Sequence, residues 1–349
     1  MYYQIVETMG NTVDASNKAR GDVSNIAESL GFKSLYVRVP GFSKKILPKI
    51  ISKAFFLFHL ILVCIKLEKG SILLTQVPCI NCAVISQYLL KKVCGLKKIR
   101  TVAFVHDVNE IRNPSKKMAN ESFKKLLLNM EIIVAHNESM IDYLCDWGIK
   151  REKIINLQIF DYILRYDGAV TPEFEKSIAV AGNLANDKST YIDSLIELKN
   201  IRVNLYGPNY KDKGMNENIV YHGVFKSDEL PQVLNSGFGL VWDGTSVETC
   251  EGAYGQYLKY NNPHKLSLYI AAGIPVVIWK DAAEAYFVKE NHLGILVDSL
   301  FDLNEQFEKL TKEMYEEYCE SVSIVRSRLI KGYYARNALE RARSLCQKT

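Results

Sequence analysis

Twenty residues, Tyr260 to Trp279 (YNNPHKLSLYIAAGIPVVIW), constrain this chain more than any other stretch, because they read as a helix start followed at once by a buried parallel strand. Asn261, Asn262 and Pro263 supply the turn into the helix. His264, Lys265 and Ser267 then place cationic and hydroxyl donors in its first turn, where unpaired backbone N–H groups and the helix dipole already favour an anion. Leu266, Leu268, Tyr269 and Ile270 bury the helix, and Ala271, Ala272 and Gly273 end it with small residues. Ile274 to Trp279 is an almost unbroken apolar run of the kind found in a sheet covered on both faces. The pattern suits a diphosphate; the plain alternative is one α/β unit of a structural core.

A chain of 349 residues exceeds what one hydrophobic core serves, so two domains are expected. With 48% hydrophobic and 24% charged residues and a formal charge of +5, the composition is that of a soluble protein with a mild basic excess. That excess suits an anionic substrate or an acidic lipid surface. Without basic stripes interleaved with aromatics, it argues against a nucleic-acid partner. The start, MYYQIVETMGN, lacks the charged, apolar and cleavage segments of a secretory signal, so cytoplasmic residence is expected. Eight scattered cysteines suggest no disulfide framework. Cys79 and Cys82 form a CxxC, but no second pair completes four zinc ligands, and packing is the simpler reading. The run Ala54 to Ile65 (AFFLFHLILVCI) is too short to span a bilayer. It reads as a buried core helix or, with Lys44, Lys45, Lys49 and Lys53 before it, as a peripheral contact with the inner face of the membrane.

Apolar runs alternate with helical segments in two series. The first has strands near 4–7, 36–39, 71–77, 99–105 and 131–135; the second near 177–182, 200–207, 219–224, 238–242 and 274–279. The stretch 160–175 has no sustained period and is the expected linker. The expected domains are therefore 1–166 and 167–330, with a terminal helix over 331–349 packing back across the junction. His106 and Asp107 end a strand, at the sheet edge where open α/β folds place ligands.

AGNL at 181–184, YG at 206–207, HG at 222–223, GLVWDGTSVETCEGAYGQYLKYNNPHK at 239–265 and AAGIPVVIW at 271–279 together resemble the bacterial GT-B glycosyltransferases. More closely they resemble the β-1,6-galactofuranosyltransferases of O-antigen assembly, a similarity that extends to KARGDV at 18–23 and HDVNEIR at 106–112. A more distant similarity links the chain to the glucosyltransferases of streptococcal adhesin glycosylation. The resemblance implies an α/β GT-B fold of two Rossmann-like domains facing a cleft. It also implies a UDP-sugar donor held by the C-terminal domain, and a glycan acceptor, lipid-linked in surface polysaccharide synthesis. A homo-oligomer is left open.

On that basis Lys265 compensates charge on the leaving diphosphate, with Ser267, Asn262 and His264 beside it. Gly182, Asn183, Tyr206, Gly207, Gly223 and Val224 lie at strand ends as donor contacts, where glycine permits close approach. Asp243 and Glu248 read sugar hydroxyls; each of these positions could equally be an ordinary loop. No DxD sequence occurs, so no metal or other cofactor is expected. The position where many GT-B enzymes carry a ribose-binding Glu falls on Tyr286, with Glu284 and Glu290 nearby. Transfer with inversion needs one base. Asp107 is the first candidate, with His106 and Glu110 close by and Asp14 in the first loop; alternatively Asp107 caps the next helix and His106 packs against it.

Three classes of function follow: a hexosyltransferase using UDP-galactofuranose, a UDP-glucose-dependent glucosyltransferase acting on a glycan or glycoprotein, and a non-catalytic GT-B-like glycan-binding or chaperone subunit.

Overall fold

A computed structural model of the chain describes residues 1–8, 15–38, 46–78, 84–166, 171–185, 190–198, 200–211 and 217–348. Two compact units divide it: residues 1–157 with 335–349, and residues 158–334.

The first unit contains β1 (Tyr2–Thr8), β2 (Lys33–Arg38), β3 (Ile72–Val77), β4 (Arg100–Val105), β5 (Ile132–Ala135) and β6 (Ile154–Asn156). Between them run α1 (Ala15–Ser29), α2 (Ile46–Lys66), α3 (Val84–Leu96), α4 (Asn109–Arg112), α5 (Lys117–Leu128) and α6 (Glu138–Asp146). The strands pair in parallel in the order β2-β1-β3-β4-β5-β6. Residues 72–77 and 132–135 are buried throughout, as in a parallel sheet covered on both faces, and the polar Thr75 and Gln76 of β3 are hydrogen-bonded there.

The second unit contains β7 (Glu173–Ala181), β8 (Arg202–Tyr206), β9 (Ile219–Tyr221), β10 (Ser236–Val241), β11 (Val276–Trp279) and β12 (Gly294–Val297). Its helices are α7 (Tyr191–Ser194), α8 (Leu230–Val233), α9 (Gly252–Tyr257), α10 (His264–Ala272), α11 (Ala285–Glu290), α12 (Asp302–Lys309) and α13 (Lys312–Leu329). The order is β12-β11-β10-β7-β8-β9, again with parallel pairs. The chain moves outward from β7 to β9 and then returns to lay β10 on the other side of β7. The gap between the carboxyl ends of β7 and β10 is therefore a topological switch point, where diverging connections leave room for a ligand.

Several boundaries differ from the sequence reading. The unit division falls at 157/158, not 166/167, because 158–162 is tied into the second unit: Ser267 Oγ donates to Phe160 O at 2.7 Å and Asn262 Nδ2 to Gln158 O at 3.0 Å. Strands β6 and β12 were not anticipated. The first has only Ile154–Asn156, too short for a period to show, whereas Gly294 followed by Ile295, Leu296 and Val297 was a readable signal. Helix α2 is 21 residues long and begins before the apolar run, with Pro48 tolerated in its first turn. The last helix, α14 (Tyr333–Lys348), groups with the first unit from Ala335 onward: Arg343 Nη1 donates to Leu30 O at 2.9 Å and its guanidinium lies 4.6 Å from the Tyr2 ring.

Candidate active site

Helix α10 has two faces, and its residues divide between them. Lys265 and Tyr269, one turn apart, turn toward the strand ends. The buried Tyr269 hydroxyl accepts from Ala181 N at 2.9 Å, fixing the end of β7. Its ring fits because residue 239 is glycine: a Cβ there would stand 2.0 Å from Tyr269 Cγ. One turn nearer the helix start, Lys265 Nζ donates to Trp242 O at 2.9 Å, just beyond β10, while its stem passes over Gly182, just beyond β7. The ammonium is thereby held at the switch point. An ammonium has three N–H groups, and among the described residues one of them is bonded, to Trp242 O.

Asn262, His264 and Ser267 face the other way. Asn262 and Ser267 are buried, their side chains bonded to the carbonyls of Gln158 and Phe160, and the His264 ring packs 5.0 Å from Tyr162. The side chains expected to join Lys265 as ligand donors instead moor the helix start to the segment 158–162. The spacing explains the split: 264 and 267 lie three apart on one face, 265 and 269 four apart on another. Gly273 ends α10 at φ +85, the left-handed stop anticipated from its sequence.

Around Lys265 the strand ends are tightly fitted. Gly182 has φ +142 and Gly207 φ +144, and a Cβ on Gly207 would fall 1.7 Å from Gly182 O. Gly182 N donates to Tyr206 O at 3.0 Å, and Gly207 N to Gly223 O at 2.8 Å, tying the ends of β7, β8 and β9 into one rim. Tyr206 and His222 stack with centroids 4.6 Å apart and planes 7° from parallel, while His222 Nε2 bonds Asn204 Oδ1 at 2.9 Å. Burial, helped by Arg202, lowers the His222 pKa, so the ring is neutral at pH 7. Asn183 accepts from Asn209 Nδ2 at 2.9 Å on the exposed rim, and Val224 is exposed beyond it. Asp243 Oδ1 accepts from Gly244 N at 2.9 Å, Glu248 is exposed on the same loop, Tyr286 is exposed on α11, and Glu284 is buried at its start. Replacing Tyr269 by Phe should leave Ala181 N without its partner and cost about 1–2 kcal/mol, read as a shift in the urea midpoint at unchanged slope.

The carboxyl edge of the first sheet holds the other candidates. Asp107 does not cap α4, whose start has no side-chain cap; Asp107 Oδ1 pairs with Arg112 Nη1 at 2.8 Å instead. His106 Nε2 lies 2.7 Å from Gln76 Oε1. Because Gln76 Nε2 donates both ways, to Arg20 O at 3.1 Å and Ser24 Oγ at 2.8 Å, its Oε1 must accept, so His106 carries its proton on Nε2. Glu110 Oε2 accepts from Tyr143 OH at 3.2 Å. Asp14, and the Cys79/Cys82 pair, lie outside the described residues.

Sequence reading missed Arg20, Gln76 and His136 here. Arg20 Nη2 donates to Pro78 O at 2.7 Å. His136 is buried at the end of β5 with Nε2 3.1 Å from Val105 O, and burial pulls its pKa down to about 4. A polar residue next to a buried strand was the available signal: His136 follows β5 as His106 follows β4.

Two parallel six-stranded units flanked by helices give the chain the GT-B fold. The chain belongs to the glucosyltransferase 3-like family: the N-terminal domain model of that family matches residues 2–159 and the C-terminal one 178–342. It is 35% identical over 250 residues to the beta-1,6-galactofuranosyltransferase WbbI of Escherichia coli K12, covering 70% of this chain and 72% of that one. It is 25% identical over 327 residues to glucosyltransferase 3 of Streptococcus gordonii, covering 92% of each. Among solved structures, Anabaena Alr3699/HepE in complex with UDP matches with a TM-score of 0.64 at 11% identity, over 99% of this chain and 100% of that one.

Proposed function

We propose that the protein transfers a hexose, galactofuranose from UDP-galactofuranose, with inversion to a lipid-linked glycan acceptor during assembly of a surface polysaccharide such as O-antigen or capsule. The observation that carries this reading is the Lys265 ammonium, held by Trp242 O with its stem over Gly182 at the switch point. A diphosphate leaving group departs with increasing negative charge, and a cation already in position stabilises that charge without reorganisation. The rim glycines let the donor's phosphates and base approach the backbone. Lys265 then does the work of a divalent ion, and no metal is required. Of the sugars, galactofuranose is favoured by the 35% identity to WbbI.

In this reading Asp107 takes the acceptor proton. Arg112 Nη1 holds one oxygen of that carboxylate at 2.8 Å and so fixes its orientation at the strand end. Asp107→Asn should lower kcat by about 10²–10⁴ while leaving UDP affinity unchanged; an equal loss in the His106→Asn variant alone would move the role to His106. A lipid-linked acceptor puts the enzyme at the cytoplasmic face of the membrane.

A second reading, a UDP-glucose-dependent glucosyltransferase acting on a glycan or glycoprotein, is favoured by the match to glucosyltransferase 3 along nearly the whole chain. UDP release from a panel of UDP-sugars, measured in EDTA with UDP-galactofuranose made in place by its mutase, separates the two. Mutase-dependent release is expected. Release from UDP-glucose would transfer the assignment to the second reading, and no release from any donor would leave a non-catalytic glycan-binding subunit.

A further inference from the structure

Helix α2 has one face in the core and the opposite face bare. Phe56, Leu60, Val63 and Cys64 pack with Leu35, Val37 and Leu73. The other side presents Phe55, Phe58, Ile61, Leu62 and Ile65, with Phe58 57% and Ile65 68% exposed. The spacing 55, 58, 61/62, 65 puts these five on one stripe along the outside of the helix. Isolated exposed apolar residues need no explanation; a contiguous stripe of two phenylalanines and three aliphatics does.

The surroundings are basic. From residue 29 to 67 the sequence has no Asp or Glu and seven Lys or Arg, among them Lys49 and Lys53 in α2 before the stripe and Lys66 after it. Helix α3 packs beside α2, and its last residue, Leu96, is 81% exposed; at the end of α5, Leu128 is exposed too. Between α3 and α5, at the amino edge of β4 and β5, lies a cavity of about 810 Å³. Its lining includes Lys91, Lys98, Arg100 and Lys125 against one acid, Glu131, which is paired with Arg100 at 3.0 Å. Apolar side chains flanked in sequence by lysines, beside a cavity lined by four cations and one acid, match the two layers of an anionic bilayer interface.

We infer that this face of the first unit, the outer stripe of α2 with the basic cavity beside it, docks on an anionic lipid bilayer. The helix would lie in the interface: none among the described residues is long and apolar enough to cross. Phe58 and Ile65 would enter the acyl boundary while Lys66 and the cations of the cavity take lipid phosphates. The inference deepens the lipid-linked acceptor reading but is tested without it, since binding and not transfer is measured.

The full-length protein is floated with vesicles of phosphatidylcholine alone or with one-third phosphatidylglycerol. The wild type is expected to partition about tenfold or more toward the anionic vesicles, and to lose most of that on raising salt from ~0.1 to ~0.5 M. The double variant Phe58→Glu/Ile65→Glu, altered only at exposed positions, should lose at least about tenfold in partitioning while UDP release on a soluble acceptor is unchanged. Phe58→Trp should shift its emission to the blue on adding anionic vesicles only. No partitioning by a folded wild type would overturn the inference. So would a wild-type dimer that ignores vesicles and becomes monomeric in the double variant, because the stripe would then be covered by a second copy.

Discussion

Lys265→Ala should lower the rate of UDP release by about 10²–10³ while the protein stays folded, as loss of one preorganised charge at a developing anion does elsewhere. The expectation is large because Lys265 is held and not merely present. Its Nζ is bonded to Trp242 O and its stem lies against Gly182, so the cation waits at the gap between β7 and β10. The folding cost should be small, about 1 kcal/mol for the unpartnered Trp242 carbonyl. Lys265→Met separates charge from packing by keeping most of the stem: its rate should fall with that of the alanine variant. Lys265→Arg should recover only part of the activity, because a planar guanidinium cannot reach Trp242 O and an anion in the same geometry. A Met variant with normal turnover would mean that the side chain is a packing element and that the anion lies elsewhere.

The second large effect is expected from Gly207→Ala. A methyl there would be driven into Gly182 O at 1.7 Å, and φ +144 is closed to other L-residues. Backbone on both sides leaves no side chain free to give way. The rim must therefore open, at a cost of about 3 kcal/mol or more. Opening it moves Gly182 away from Lys265, so donor turnover should fall with stability. Gly223→Ala is the control: φ is +93 but nothing stands within 4 Å of the added carbon, so only the left-handed backbone penalty of about 1–2 kcal/mol applies. Chemical denaturation of the two variants side by side should show a clear gap; equal losses would mean that the rim at Gly182 can relax.

What the sequence made legible was set by periodicity and what it hid was set by direction. The helix start at Pro263, the stop at Gly273 and the buried strand after it all followed from local residue types, and each stands in the structure. Which of four polar side chains at that helix start turns to the sheet did not follow. That depends on where β7 and β10 end relative to the helix, a matter of strand order. The same holds in the first unit. Asp107 at a strand end was readable and its partner Arg112 is local, but the proton on His106 Nε2 depends on Gln76 and, through it, on Arg20 and Ser24, which are distant in sequence. Helix α2 was ambiguous between core and membrane contact because a helix buried on one face and apolar on both reads the same from composition.

Whether the switch point of the second unit holds the diphosphate of the donor is tested by calorimetric titration of UDP and of uridine into the wild type and Lys265→Met. UDP should bind the wild type at one site and the variant at least about tenfold more weakly, a loss of about 1.4 kcal/mol or more, while uridine, which has no phosphate, binds both alike. UDP binding with the same affinity to both proteins would put the diphosphate away from Lys265.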